Sequence, residues 1–493
     1  MAPFSHTQMR AGCGQLPSFV ASNRDSKVFK RSAFTITNLC LNFIVIACLF
    51  LVNGLGEFGN TIFFICLAIM ALRSVSGALK AVSILGISIM GNPYIVDQTI
   101  VVAYLRFPLI ALAGMRILYE ILLKRRDLLR LSHLNALILF GLVCVVLAPI
   151  NGYFMQIAVL KAGLFTYGAY VILAGTELNR SRMSDLTVWF TALVAFVSIG
   201  TYITIPLGIS HVFRGELLLL GGVGGLSGIT IHQQTLGSFA AISAVFCFAL
   251  GVFSKLPKRG LFILLFVSFL PILVMTKSRT AVGTLILSLA MIIVVAPFYL
   301  RGQKAHFNKF NFWRWFAGMC AVLVVGIFAD FATGGRISTR VFEFALKGMA
   351  GRSYYDVQVT DVAISRMGLI EQSWQIFLDH PLSGINFGTS TSRYFIENAS
   401  TFSAPTEKGF LPTALLEEVG LVGTSFFCIF VFMIFRKFYQ DENIIGFAVF
   451  SGFLIQNLGE MMFFSFGGAG MYCWTVVGAG IAIGYRHQFV RKF

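Results

Sequence analysis

Long apolar runs recur along the chain from Ala33 to Gly484, separated by short polar links. The runs are continuous rather than alternating, which points to helices and away from a β-barrel, whose strands alternate residue by residue. Spans are expected at 33–53, 59–72, 80–97, 100–122, 133–150, 155–176, 186–205, 238–254, 260–276, 281–300, 313–331, 410–435, 443–460 and 467–484. Several are short against the roughly 20 residues that a bilayer crossing needs, so the expected count is twelve to fourteen. The fold class this implies is an all-α polytopic membrane protein. Three segments break the pattern. Residues 206–237 hold a glycine-rich apolar stretch, GGVGGLSG, too glycine-rich for a lipid-facing helix and readable as re-entrant. A tight link, TKSRT, occupies 276–280. Residues 332–409 form the longest link, and connections of that length are usually functional or disordered. Its second half, DVAISRMGLIEQSWQIFLDHP, reads as an amphipathic helix with Ile364, Met367, Ile370, Trp374 and Phe377 on one side.

Charge sets the orientation. Only 12% of residues are charged, against about 25% in a soluble domain. The basic leader, 1–32, KRRDLLR, KLPKR, RKFYQ and the tail 485–493 all fall on one side if the N-terminus is cytoplasmic. The layout is then a leader at 1–32, helices over 33–331, an outer loop at 332–409, helices over 410–484 and a cytoplasmic tail. The formal charge of +17 sits mostly in short links, so anionic lipid, not nucleic acid, is its expected counter-charge. Nine cysteines show no CxxC pair, and the histidines show no H-E-x-x-H. Neither a metal site nor a bound cofactor is expected.

Lys277 and Arg279 stand on the outer side, against the positive-inside trend. They read either as a snorkelling pair or as a clamp for an anion at headgroup level. Arg214, Arg336, Arg340 and Arg366 would share that face, each also readable as an ordinary surface charge. Together they would suit a lipid diphosphate. His232 could contact substrate or close the glycine-rich turn. No P-loop or dinucleotide fingerprint is present, so an enzyme working outside would use a substrate carrying its own leaving group.

Four segments carry a resemblance: GLSGITIHQQTLG, TKSRTAVGTLILSL, SRMGLIEQSWQIFLDHPLSGINFG and EKGFLPTALLEEVGLVG, in that order from Gly225 to Gly423. They resemble the motifs of the O-antigen ligase and polymerase superfamily of membrane glycosyltransferases. The resemblance implies a GT-C-like helical bundle with one large periplasmic loop, in the bacterial inner membrane. It also implies metal-independent transfer from an undecaprenyl-diphosphate-linked glycan donor to a carrier-linked acceptor, with a flippase and a chain-length regulator as partners. Arg279 and Arg366 match the diphosphate-binding arginines by position. The family's loop histidine falls on Glu407, and the asparagine beside it on Lys408. Ligases that move glycan onto lipid A usually carry the histidine, so the departure favours a polymerase of O-antigen or exopolysaccharide repeats. A ligase is the alternative within the class, and a lipid-linked glycan transporter the alternative outside it.

Glu407 then reads as a general base for the acceptor hydroxyl, or simply as an acidic residue at a helix start. Lys408 would steady the departing diphosphate or pair with Glu407. Glu417 and Glu418 lie too deep in the following span to face lipid, and are expected to bond the glycine-rich loop or Arg366.

Overall fold

The computed structural model describes residues 35–96, 100–179, 183–211, 225–254, 258–300, 359–398 and 408–484. The regular elements among them are α1 (Ile36–Val52), α2 (Gly56–Arg73), α3 (Val75–Ser88), α4 (Ile100–Lys124), α5 (Ser132–Asn151), α6 (Met155–Leu178), α7 (Met183–Thr204), α8 (Gln233–Phe253), α9 (Arg259–Met275), α10 (Arg279–Leu300), α11 (Val359–Asp379), α12 (Arg393–Asn398), α13 (Leu411–Gln440), α14 (Ile444–Gln456) and α15 (Ala469–Gly484). A 3-10 turn, Arg126–Arg130, joins α4 to α5. Seven of the described helices are long and apolar enough to cross a membrane. The chain is an all-α, multi-pass membrane protein.

The helices form a core and a shell. From Thr235 to Gly251 every residue of α8 is buried, and α3, α14 and α15 are nearly as enclosed. A helix that is apolar all round belongs in the interior. Around α8 pack α9, α10, α14 and α15, and α3 sits between α2, α4 and α15. Shell helices keep apolar side chains exposed, such as Ile44 and Leu51 on α1, Leu264 on α9 and Phe432 on α13, as expected of surfaces facing lipid. Sparse polar contacts join core helices: Gln456 Nε2 donates to Ser238 Oγ at 2.7 Å, and Ser243 and Tyr472 share a 2.6 Å bond.

The expected spans and the observed helices agree for most of the described chain, with three instructive differences. The span expected at 80–97 is α3, which begins earlier because Ser74 caps it, its hydroxyl accepting from Gly77 N at 2.9 Å. It ends before Gly91 and Asn92, which dock on the glycine-rich segment: Asn92 N donates to Ile229 O and Ile231 N to Met90 O, both at 2.8 Å. The span expected to reach residue 460 stops at Gln456. Asn457 ends it, its Oδ1 accepting from Met462 N at 2.7 Å and Phe463 N at 2.6 Å, which leaves Glu460 in a loop. On α11 the packed stripe keeps Phe377 but takes Ser373 in place of Trp374. Ser373 and Phe377 are buried while Trp374 is 44% exposed, because α11 lies along α13. The span expected at 313–331 lies outside the described residues.

The two ends of the bundle differ in charge. One gathers Arg73, Lys80, Lys124, Arg125, Arg126, Lys258, Arg259 and Lys437, with Lys437 3.2 Å from Glu177 and Lys80 2.8 Å from Asp185. The opposite end gathers the loops between α5 and α6, around 225–232, around 380–390 and around 457–468.

Candidate functional site

The segment HPLSGINFG lies as a strap across a broken helix. At Gly420 (φ 59°, ψ −163°) the helical path of α13 is interrupted. An L side chain rarely adopts this conformation, and a Cβ there would run into the backbone of Leu382. The break exposes backbone groups that a membrane interior would leave unpaired. The strap takes up four of them. Ile385 N donates to Glu417 O at 2.8 Å and Asn386 N to Glu418 O at 2.9 Å, while Leu421 N donates to Pro381 O at 2.8 Å and Val422 N to Leu382 O at 3.2 Å. Gly384 (φ 65°) makes the close approach possible, since a Cβ there would stand 2.5 Å from Glu418 C. Two other elements tie down the strap. Asn386 Nδ2 donates to Tyr153 O at 2.6 Å, between α5 and α6. Phe387 inserts into the aromatic core, 4.9 Å from Phe464 and 6.0 Å from Phe140.

Beneath the strap lies a buried ionic cluster. Lys408, Glu417 and Glu418 are 6%, 2% and 0% exposed. Lys408 Nζ stands 3.0 Å from Oε1 of both carboxylates and donates to Thr389 O at 2.6 Å. The second oxygen of Glu417 accepts from Ser373 Oγ of α11 at 2.6 Å, and that of Glu418 accepts from Gly388 N at 2.7 Å. Buried charges persist when paired and hydrogen-bonded in this way. The cluster fixes α11, the strap and α13 to one another. Nearby, Tyr153 OH donates to Ser390 O at 3.1 Å. Burial, and then the Glu417 charge, push its phenol above the usual tyrosine range.

A second assembly holds the glycine-rich segment and TKSRT together. Leu226 N donates to Met275 O at 2.8 Å, and Ser227 N and Gly228 N both donate to Ser210 O, at 2.9 and 3.0 Å. His232 caps α8, its Nδ1 accepting from Gln234 N at 3.2 Å. Lys277 is exposed, on a left-handed turn (φ 53°), and Arg279, partly exposed, is the first residue of α10. Gly237 abuts Ser278 and Gly459 abuts Thr280, so the 457–468 loop closes over this link.

Between the assemblies is a cavity of about 400 Å³, whose walls include Arg106, Lys161, Thr235, Phe387, Gly388 and Glu460. Lys161 Nζ donates to Gly388 O at 2.7 Å, and Arg106 Nη1 donates to Gly467 O at 2.7 Å. Two of the four resembling segments therefore contribute directly to one cavity, and the other two pack behind its walls.

The residues singled out from sequence divide as follows. Lys408 faces Glu417 and Glu418, and among the described residues those carboxylates bond Lys408, Ser373 of α11 and Gly388 of the strap, not the glycine-rich segment. His232, Lys277 and Arg279 stand at the second assembly. Arg366 is on α11, with its side chain outside the described residues. Arg214, Arg336, Arg340 and Glu407 also lie outside the described residues. Sequence reasoning passed over Arg106 and Lys161. The signal was there: each is a lone cation in an apolar run, YLRFP and VLKAG, and intramembrane charges mark cavities and pathways. Comparison with family models and with curated proteins finds no match for this chain.

Proposed function

We propose that the protein is a membrane glycosyltransferase that polymerises undecaprenyl-diphosphate-linked oligosaccharide repeats at the periplasmic face of a bacterial inner membrane. The observation that carries this reading is that two of the four motif-bearing segments line one cavity, with the other two packed behind its walls, at the end of the bundle opposite the basic links. A GT-C-like bundle with the termini in the cytoplasm belongs to the same proposal. Arg279 and Arg366, assisted by Lys277, Arg214, Arg336 and Arg340, hold the donor's diphosphate. Lys408 acts on the site through the strap, and His232 through the start of α8. In the transfer, an acceptor hydroxyl oxygen bonds to the sugar C1 and the C1–O bond to the diphosphate breaks. Undecaprenyl diphosphate departs, and Glu407 takes the hydroxyl proton.

Incubation of the purified chain in proteoliposomes with lipid-linked repeats alone tests the class. Longer carrier-linked chains are expected. Transfer that requires added lipid A–core would assign a ligase, and movement of intact lipid-linked glycan with no new glycosidic bond would assign a transporter. Arg279→Ala is expected to cut chain extension by removing charge-assisted bonds worth roughly 1.5–3 kcal/mol each. Arg279→Lys is also expected to be impaired, because the two-pronged geometry is lost. Normal polymer yield from well-expressed R279A protein would remove the diphosphate role. Glu407→Gln is expected to lower single-turnover extension by about 10²–10⁴-fold with donor affinity unchanged. A loss well under 10²-fold would rule out the base.

A further inference from the structure

The cavity carries chemistry that diphosphate binding at Arg279 does not use. Arg106 stands in α4, about two turns from its first residue, and Lys161 at a similar depth in α6. Cations at such depth are costly, and they persist where they line a polar cavity. Both line this one. Among the described residues Arg106 donates one hydrogen bond, to the neutral carbonyl of Gly467, and its buried Nε makes none. A guanidinium so placed retains donors for an oxyanion.

The remaining walls select among oxyanions. Phe107, Phe387, Phe464 and Phe466 supply aromatic surface, and Glu460 supplies a carboxylate. The carbonyls of Gly388 and Gly467 already face Lys161 and Arg106. A bare diphosphate offers only acceptor oxygens, and it would meet Glu460 and these carbonyls as further acceptors. A sugar offers hydroxyl donors to them and carbon-bound hydrogens to the aromatic rings. Adding one anionic substituent to the sugar satisfies the cations as well. The volume lies within the range of small-ligand sites, roughly 300–1,000 Å³.

We infer that this cavity is a binding site for an acidic sugar residue of the glycan, its carboxylate or phosphate substituent held by Arg106 and Lys161. The inference rests on the glycan reading of the site and adds to it a substrate class: repeats that carry a negatively charged sugar.

Calorimetric titration of the full-length chain in nanodiscs, without lipid-linked donor, tests it. The probes are trigalacturonate, its neutral counterpart galactotriose, galactose 1-phosphate and inorganic pyrophosphate. Either trigalacturonate or galactose 1-phosphate is expected to bind about tenfold or more tighter than galactotriose. Which of the two does so identifies the substituent. Arg106→Gln is expected to abolish that preference while the weak affinity for galactotriose stays, and Arg106→Lys to restore part of it. Equal affinity for acidic and neutral sugars would overturn the inference. So would pyrophosphate binding tighter than every sugar, which would make this a carrier-diphosphate site. Loss of all ligands together with a lowered melting temperature in both Arg106 variants would make Arg106 structural, and would also overturn it. Because no turnover is measured, acidic-sugar binding by a chain that never extends glycan would defeat the transferase reading and leave this one standing. Extension that proceeds with neutral repeats alone would do the reverse.

Discussion

Lys408→Met is expected to lower stability by about 3–5 kcal/mol, the range for removing one partner of a buried ion pair. Methionine fills much of the same volume, so the loss would come from charge and not from a void. Glu417 and Glu418 would face each other across a site without their cation, and Thr389 O would lose its donor. The measurement is thermal unfolding of the purified full-length chain. A triple variant, K408M with Glu417→Gln and Glu418→Gln, should recover much of the loss, because the uncompensated charges are gone. A K408M protein within about 1 kcal/mol of wild type would show that solvent reaches the cluster. Failure of the triple variant to recover would assign the loss to packing around the strap.

Gly420→Ala is expected to be as severe. The position has φ 59° and ψ −163°, a region open almost only to glycine, and the new methyl would sit 2.6 Å from Ser383 N. Strain of about 1–3 kcal/mol from the backbone adds to the displacement of the strap, with its hydrogen bonds. Gly163→Ala is the control. Gly163 lies within α6, with nothing within 4 Å of a Cβ, so alanine there should be neutral or slightly stabilising. Limited proteolysis reads the first effect directly, as faster cleavage within 380–390 in G420A than in G163A. Equal protection in the two variants would mean that the strap does not depend on the break.

The helices were legible because apolar runs of bilayer length have few other solutions. Their ends were less so. Ser74, Asn92 and Asn457 set boundaries through side-chain bonds to distant or local backbone, which hydropathy does not register. The strap could be seen as a glycine-bearing loop in HPLSGINFG, and the depth of Glu417 and Glu418 showed that they needed partners. Which partners was not legible. Lys408 is nine residues from Glu417 in sequence, and only the docking of the strap over the start of α13 brings Thr389 and Gly388 to the same cluster. The interruption at Gly420 was hidden for a similar reason. A glycine in an apolar helix is common in membranes, and its φ is decided by what packs against it. Arg106 and Lys161 were visible as lone charges, but they lie on helices about fifty residues apart, and no spacing rule joins them.

The break in α13 also bears on how the protein is assembled. A straight helix would bond Leu421 N to Glu417 O and Val422 N to Glu418 O, the same four groups that the strap engages. Docking therefore exchanges two bonds within one helix for four between two segments. The strap precedes α13 in the chain, so it is synthesised first. An α13 that enters the bilayer straight has no unpaired backbone in lipid, and it opens at Gly420 only when the strap is in place to receive it. The docking of the strap and the bend are thus one joint event in biogenesis. Deleting residues 381–386 should leave an inserted chain whose α13 is unbroken, detectable as slowed amide hydrogen exchange at Leu421 and Val422 relative to a chain whose strap is undocked but whose helix stays bent.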